Sequence, residues 1–119
     1  MRCAVIGASD KPHRYSYQAV MLLQEKGHEV FPVHHRIKSI ESLKVYSNIS
    51  EISEEIDTVT LYVGQAISDL IADDIIKKKP KRIIFNPGAE NADLEMNANK
   101  HDIETINACT LVMLRTGQF

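Results

Sequence analysis

Along this chain, short apolar runs closed by glycine or a polar turn alternate with stretches whose apolar residues recur every three or four positions. Cys3-Ala4-Val5-Ile6, ended by Gly7, lacks polar alternation and predicts a strand buried on both faces. A polar stretch from Gly7 to Arg14 follows. Tyr15, Ala19, Leu22 and Leu23 then fall at helical spacing before a capping Gly27, so the first helix is predicted to begin near Ser16. Glu29 to Val33 predicts a second strand, which runs into His34-His35-Arg36. The next segment, with Leu43, Val45 and Tyr46, has no regular period and leads to a short helix expected around Ser50 to Glu55. Thr58 to Val63 is a β-branched run closed by Gly64. Ile67, Leu70, Ile71 and Ile75 mark the apolar face of the helix that follows, which ends in Lys77-Lys78-Lys79-Pro80. Arg82 to Phe85 predicts a fourth strand, Ala92 to Lys100 a helix and Ile103 to Ile106 a fifth strand. Thr110 to Leu114 carries no assignable pattern.

Five apolar strands separated by helical patterns, without hairpin turns between them, specify a parallel sheet reached through right-handed crossovers. The expected fold is therefore a Rossmann-like α/β domain, an open five-stranded parallel sheet with helices on both faces, formed by residues 1–119 as one unit. The chain's 119 residues suit one domain and leave little room for both a nucleotide-binding half and a substrate half. That weighs against catalysis by this chain alone. In open sheets of this kind, ligands bind beyond the carboxyl ends of the strands where the strand order reverses. The segments that matter are then Gly7 to Tyr15, His34 to Arg36, Gly64 to Gln65 and Asn86 to Glu90.

Charge narrows the partners. With 14 basic and 16 acidic residues the chain is net −2, so it lacks the broad positive field that nucleic acids and anionic membranes attract. No apolar run approaches the roughly 20 residues needed to span a bilayer, and the apolar start before Gly7 is too short for a signal peptide. Two cysteines, Cys3 and Cys109, are too few for a disulfide framework, which fits a reducing compartment and predicts a cytoplasmic location. Cys109 has no Cys-X-X partner and no recognisable Cys/His/Asn arrangement, so a packed thiol is expected rather than a nucleophile.

The loop after the first strand carries the most chemistry. Gly7 sits where the chain turns from strand to helix, a place that favours a residue without a Cβ. A dinucleotide fingerprint would place glycines two and five positions later, but Ser9 and Pro12 stand there, which disfavours an ordinary NAD site. Pro12 also delays the helix, because the residue before a proline is pushed towards extended geometry. Backbone amides, the Ser9 hydroxyl, the Lys11 ammonium and the helix N-terminus together offer a cradle for a pyrophosphate. At the end of the second strand an NAD protein carries an acid that accepts from the ribose hydroxyls. Here Arg36 follows two histidines, and a guanidinium suits a phosphate on the ribose, as in coenzyme A or NADP. Adjacent His34 and His35 in extended backbone point to opposite faces, so no metal site is expected. Asn86-Pro87-Gly88-Ala89-Glu90 reads either as a strand-to-helix turn or as the far wall of the crevice.

These residues resemble the small stand-alone CoA-binding protein family, which is related to the CoA-binding domain of the succinyl-CoA synthetase α subunit. The resemblance spans nearly the whole chain. It rests on Val5-Ile6-Gly7-Ala8-Ser9 with Tyr15 and the Leu22-Leu23 helix, on Lys26 to Val33, on Ile56 to Val59, on Pro87 to Asn91, and on Cys109-Thr110-Leu111. It implies that Ser9, Asp10, Lys11 and Pro12 occupy the phosphate loop beside Gly7 and Ala8. It also implies that Arg36 takes the place of a usual lysine after Val33 and His34, and that Val63, Gly64 and Gln65 border the adenosine side, with Pro87 and Gly88 completing the candidate set. The family tends to show Asn-Pro where His34-His35 stand, and a proline where Gly64 stands. The synthetase's phosphohistidine-bearing domain has no counterpart here, so the resemblance implies no ligase activity. The leading expectation is non-catalytic binding of coenzyme A or an acyl-CoA. The alternatives are a small NADP-dependent reductase and an interaction subunit that has lost its ligand; a homodimer or another protein partner stays open.

Overall fold

The computed structural model describes the whole chain, Met1–Phe119. In chain order, β1 (Arg2–Ile6) leads through α1 (Tyr15–Glu25) to β2 (Glu29–Val33), a hairpin of β3 (Ser39–Ile40) and β4 (Leu43–Lys44), and a 3-10 turn (Ile49–Glu51). Then β5 (Thr58–Leu61), α2 (Gln65–Lys78), β6 (Arg82–Phe85), α3 (Ala92–Lys100), β7 (Glu104–Asn107) and α4 (Thr110–Arg115) follow. The large sheet is parallel throughout, with strand order β2-β1-β5-β6-β7. The chain goes outward from β1 to β2, then returns to the other side of β1 with β5. The strand order therefore reverses between β1 and β5, and the crevice opens beyond their carboxyl ends.

Alternation of side chains across the pleat divides the core into two layers. Ala4, Ile6, Phe31, Val33, Val59, Leu61, Ile83 and Phe85 face α2, α3 and the 3-10 turn. Cys3, Val5 and Val30 face α1 and α4, where Val20, Leu23 and Leu114 meet them. Ile83, Ile84 and Leu61 are fully buried, which is why the strands read as unbroken apolar runs. At the outer edge Val33 bridges to Tyr46, whose carbonyl accepts from the His34 amide at 2.9 Å. That contact covers the free side of β2.

Four expectations need correction. The β3–β4 hairpin interrupts the series of crossovers; its strands are two residues each, too short to show a period, and Glu41 turns it with φ 52°. The short helix expected at Ser50 to Glu55 is a single 3-10 turn, capped by the Asn48 side chain accepting from the Ser50 amide at 2.9 Å. The face of α2 is rotated relative to prediction: Ile67 and Leu70 are exposed, and Ser68, Ile71, Ala72, Ile75 and Ile76 pack inward. Ser68 can be buried because Asn91 donates to its hydroxyl at 2.7 Å. Finally, the unassigned tail is α4. Its first amide, Thr110, donates to Asn86 Oδ1, while Asn86 Nδ2 and the Thr110 hydroxyl both meet the Thr60 hydroxyl.

Two stability measurements follow. Ile75→Ala should cost about 2–5 kcal/mol in urea unfolding, whereas Leu70→Ala should stay within about 0.5 kcal/mol; equal losses would return Leu70 to the core face. Gly7 has φ 86°, and a Cβ there would lie 2.8 Å from Val63 Cγ1. Gly7→Ala is therefore expected to cost about 1–3 kcal/mol; thermal stability at or above that of the parent would contradict the strained turn.

Candidate functional site

At the reversal point the loop after β1 and the loop after β2 face one another across an open cleft of about 800 Å³. Gly7, Ser9, Lys11, His13, Arg14, Tyr15 and Ser16 come from the first loop and the start of α1. His34, Arg36 and Ile37 come from the second, and Tyr62 lies at the floor beyond β5. Two bonds bring the loops together: the Gly7 and Ala8 amides both donate to the Val33 carbonyl, at 3.0 and 3.2 Å. Gly7 can do this because its positive φ turns the chain sharply after Ile6.

Those two bonds also revise which amides face a ligand. Gly7 and Ala8 donate inside the protein, and the Ala8 side chain is buried in the core. By contrast, the Ser9, Asp10 and His13 amides donate to no protein acceptor, and neither do those of Tyr15, Ser16 and Tyr17 in the first turn of α1. Arg14, the residue before α1, makes no side-chain cap, and the first turn holds no acid. A helix end left in this state is suited to an anion, since its amides and dipole both point positive charge outward. The loop itself is held by Ser9, whose Oγ accepts from the Lys11 amide at 3.0 Å and keeps its own proton to donate.

The electrostatics agree. No Asp or Glu lines the cleft, although the chain as a whole is net −2. Its cations Lys11, Arg14 and Arg36 have no ion-pair partner, for the two ion pairs present join Arg2 to Glu29 and Lys81 to Asp57. Cations on both walls suit a ligand with phosphates at two separated places. His34 serves the second wall differently. Its Nδ1 accepts from the Arg36 amide at 3.0 Å and the Ile37 amide at 3.3 Å, so the ring is neutral and carries its proton on Nε2. Burial, then His35 and Arg36, lower its pKa, with Asp10 acting the other way. The rings of His34 and His35 stack at 4.9 Å rather than pointing apart. No group of three or more His, Cys, Asp or Glu is placed to hold a metal ion. The Tyr62 hydroxyl is buried near the Thr110 and Thr60 hydroxyls without a well-formed hydrogen bond to either, and burial pushes its pKa up to about 12 against the opposing pull of those two neighbours.

Of the residues singled out in the sequence, Gly7, Ser9, Lys11, Tyr15, His34 and Arg36 line the cleft. Asp10 and Pro12 are exposed on the same loop but outside its lining, and Val33 contributes only its carbonyl. Val63 packs against Gly7 from behind, Gly64 precedes α2, and Gln65 begins it; none of the three lines the cleft. Pro87 and Gly88 are exposed at the end of β6, one strand further along, above the buried Asn86. His13, Arg14, Ser16, Ile37 and Tyr62 were missed. His13 and Arg14 lay inside the loop already marked by position, and Tyr62 was hidden because its apolar run looked like unbroken strand.

The family model described as "CoA binding domain" matches residues 1–115. An uncharacterised protein, YneT, of Bacillus subtilis is 36% identical over 61 residues, which are 51% of this chain and 45% of that one. The α subunit of acetate–CoA ligase (ADP-forming) II from Pyrococcus furiosus is also 36% identical over 61 residues, 50% of this chain but only 13% of the subunit. The chain thus aligns with less than half the length of either relative. A crystal structure of an uncharacterised protein superposes with a TM-score of 0.94 at 36% identity, covering 99% of this chain and 97% of the other. No helix is long and apolar enough to cross a membrane. With the family match running from the first strand to the last helix, the chain belongs to the CoA-binding domain family.

Proposed function

We propose that this protein binds coenzyme A or an acyl-CoA in the cleft between the Gly7 loop and Arg36, and does not catalyse a reaction by itself. The observation that carries the proposal is the convergence on one acid-free cleft of an uncapped helix end and the unpaired cations Lys11, Arg14 and Arg36. The pyrophosphate sits against Ser9, Lys11 and the first turn of α1, where amides and dipole are directed at it. The ribose phosphate sits against Arg36, which offers paired donors to a phosphate. The cleft volume of about 800 Å³ suits a ligand of this size.

Family membership and the partial match to a CoA ligase subunit favour coenzyme A over other phosphorylated adenosines. Because that match covers 13% of the ligase subunit, the proposal extends to binding and not to the ligase reaction. The non-catalytic part rests on the composition of the cleft, which no carboxylate lines. We place the protein in the cytoplasm, where coenzyme A is available and where two unbridged cysteines are at home.

Thermal unfolding with CoA, acetyl-CoA, NADP and NAD tests the reading. A ligand at 100 times its dissociation constant adds about 2.7 kcal/mol of stability. CoA and acetyl-CoA should raise the melting temperature and NAD should not. Stabilisation by NADP alone would support the reductase alternative, and no shift with any of the four would support an interaction subunit. Arg36→Glu is expected to weaken CoA binding at least tenfold, about 1.4 kcal/mol, with the melting temperature of the free protein unchanged. Unaltered affinity in calorimetric titration would remove Arg36 from the site.

A further inference from the structure

The second wall of the cleft is a stretch of chain with almost nothing of its own to hold it. Residues 34–38 form neither helix nor strand. The His34 amide is tied to the Tyr46 carbonyl at 2.9 Å, and Lys38 accepts from the Val45 amide at 3.0 Å. Between these anchors, the amides of Arg36 and Ile37 have a single acceptor, Nδ1 of His34. The geometry is that of a turn in which a side-chain acceptor takes the amides two and three residues on, a task usually left to Asp or Asn. An imidazole can perform it only while Nδ1 carries no proton.

We infer that His34 is a positioning residue that holds Arg36 against the cleft through unprotonated Nδ1, so that ligand binding weakens when this imidazole is protonated. The binding half of this inference rests on the reading of the cleft as a CoA site; the conformational half does not. Protonation would set an N–H against two N–H donors and release the turn that presents the guanidinium. It would also add a positive charge near an anionic ligand, which acts in the opposite direction. The groups that act on the ring are His35 and Arg36 on the same loop and Asp10 on the facing loop, and Lys11, His13 and Arg14 line the cleft opposite. On the other side of the ring a small pocket presents Ser47, Asn48, Ile49 and Ile71, none of them charged. Burial acts first, and with His35 and Arg36 it lowers the pKa of His34, while Asp10 acts the other way. The sign follows. The neutral ring is fully present above the ordinary imidazole value, and the turn is lost as pH falls through the lower value of the folded protein.

The test compares the parent, His34→Asn and His34→Ala. Asparagine keeps a side-chain acceptor and does not titrate; alanine removes the acceptor. By calorimetric titration with CoA at pH 8, the alanine variant should bind about tenfold more weakly than the parent, the loss of one tenfold step per 1.4 kcal/mol, and asparagine should restore most of the affinity. Between pH 8 and pH 5.5 the parent should lose affinity more steeply than His34→Asn. That variant reports the part of the pH dependence that does not come from His34, the ligand's own phosphates included. Without ligand, 15N NMR at pH 8 should show His34 protonated on Nε2, and the Arg36 and Ile37 amides should be protected from exchange in the parent and unprotected in His34→Ala. A proton on Nδ1 at pH 8, unchanged protection in His34→Ala, or parallel pH profiles for the parent and His34→Asn would overturn the inference. Should the parent bind no CoA at pH 8, the site reading fails, and the tautomer and amide exchange alone decide the role of His34.

Discussion

The carbonyl of Val33 takes the amides of Gly7 and Ala8, and the rest of the site depends on that joint. It fastens the end of β1 to the end of β2, so that the loops leaving the two strands cannot diverge. Only a residue comfortable at φ 86° lets the chain turn back over Val33. With the joint made, the loop beyond it runs on to Pro12 and Arg14, and α1 starts facing open space with its first amides unspent. The same joint places His34 immediately beyond the clamp, where its ring shapes the loop that carries Arg36. The fold supplies a reversal point; this pair of bonds turns it into a cleft with two charged walls.

The division of labour between the two ends of the sheet follows from the same layout. Buried polar side chains beyond the carboxyl ends of β5 and β6 are consumed internally: Asn86 joins Thr60 to the start of α4, and Asn91 joins Ser68 to Asp69. These networks fix α3 and α4 and leave little for a ligand, since satisfied donors and acceptors are not available to bind. One strand away, the Lys11, Arg14 and Arg36 cations are unpaired and the helix end is uncapped. Unpaired cations and unspent amides therefore gather at β1 and β2, and structural bonding lies at β5 and β6.

Much of this was legible in the residues, for definite reasons. Strands buried on both faces declare themselves as apolar runs, so Cys3 to Ile6 and Arg82 to Phe85 could be read directly. The positions of Gly7, Lys11 and Arg36 relative to those runs identified both walls of the cleft. What escaped depends on contacts between distant segments. The inward face of α2 includes Ser68, a polar residue whose burial needs Asn91 to meet it. The β3–β4 hairpin is too brief for any period, and α4 is fixed by Asn86 rather than by a cap of its own. Tyr62 reads as strand, and only the register of β5, which ends at Leu61, releases it to the floor of the cleft. His34-His35 stand where the family tends to show Asn-Pro, and only the fold shows that the His34 Nδ1 accepts the Arg36 and Ile37 amides.

The central claim is that two walls grip two separated phosphates, and the most direct measurement is a thermodynamic cycle pairing the ligand's ribose phosphate with Arg36. Calorimetric titrations of CoA and of 3′-dephospho-CoA into the parent and Arg36→Ala give four affinities. The account predicts that removing either the phosphate or the guanidinium weakens binding, and that removing the second after the first costs little more. Additive losses, or a guanidinium whose removal affects both ligands equally, would contradict it.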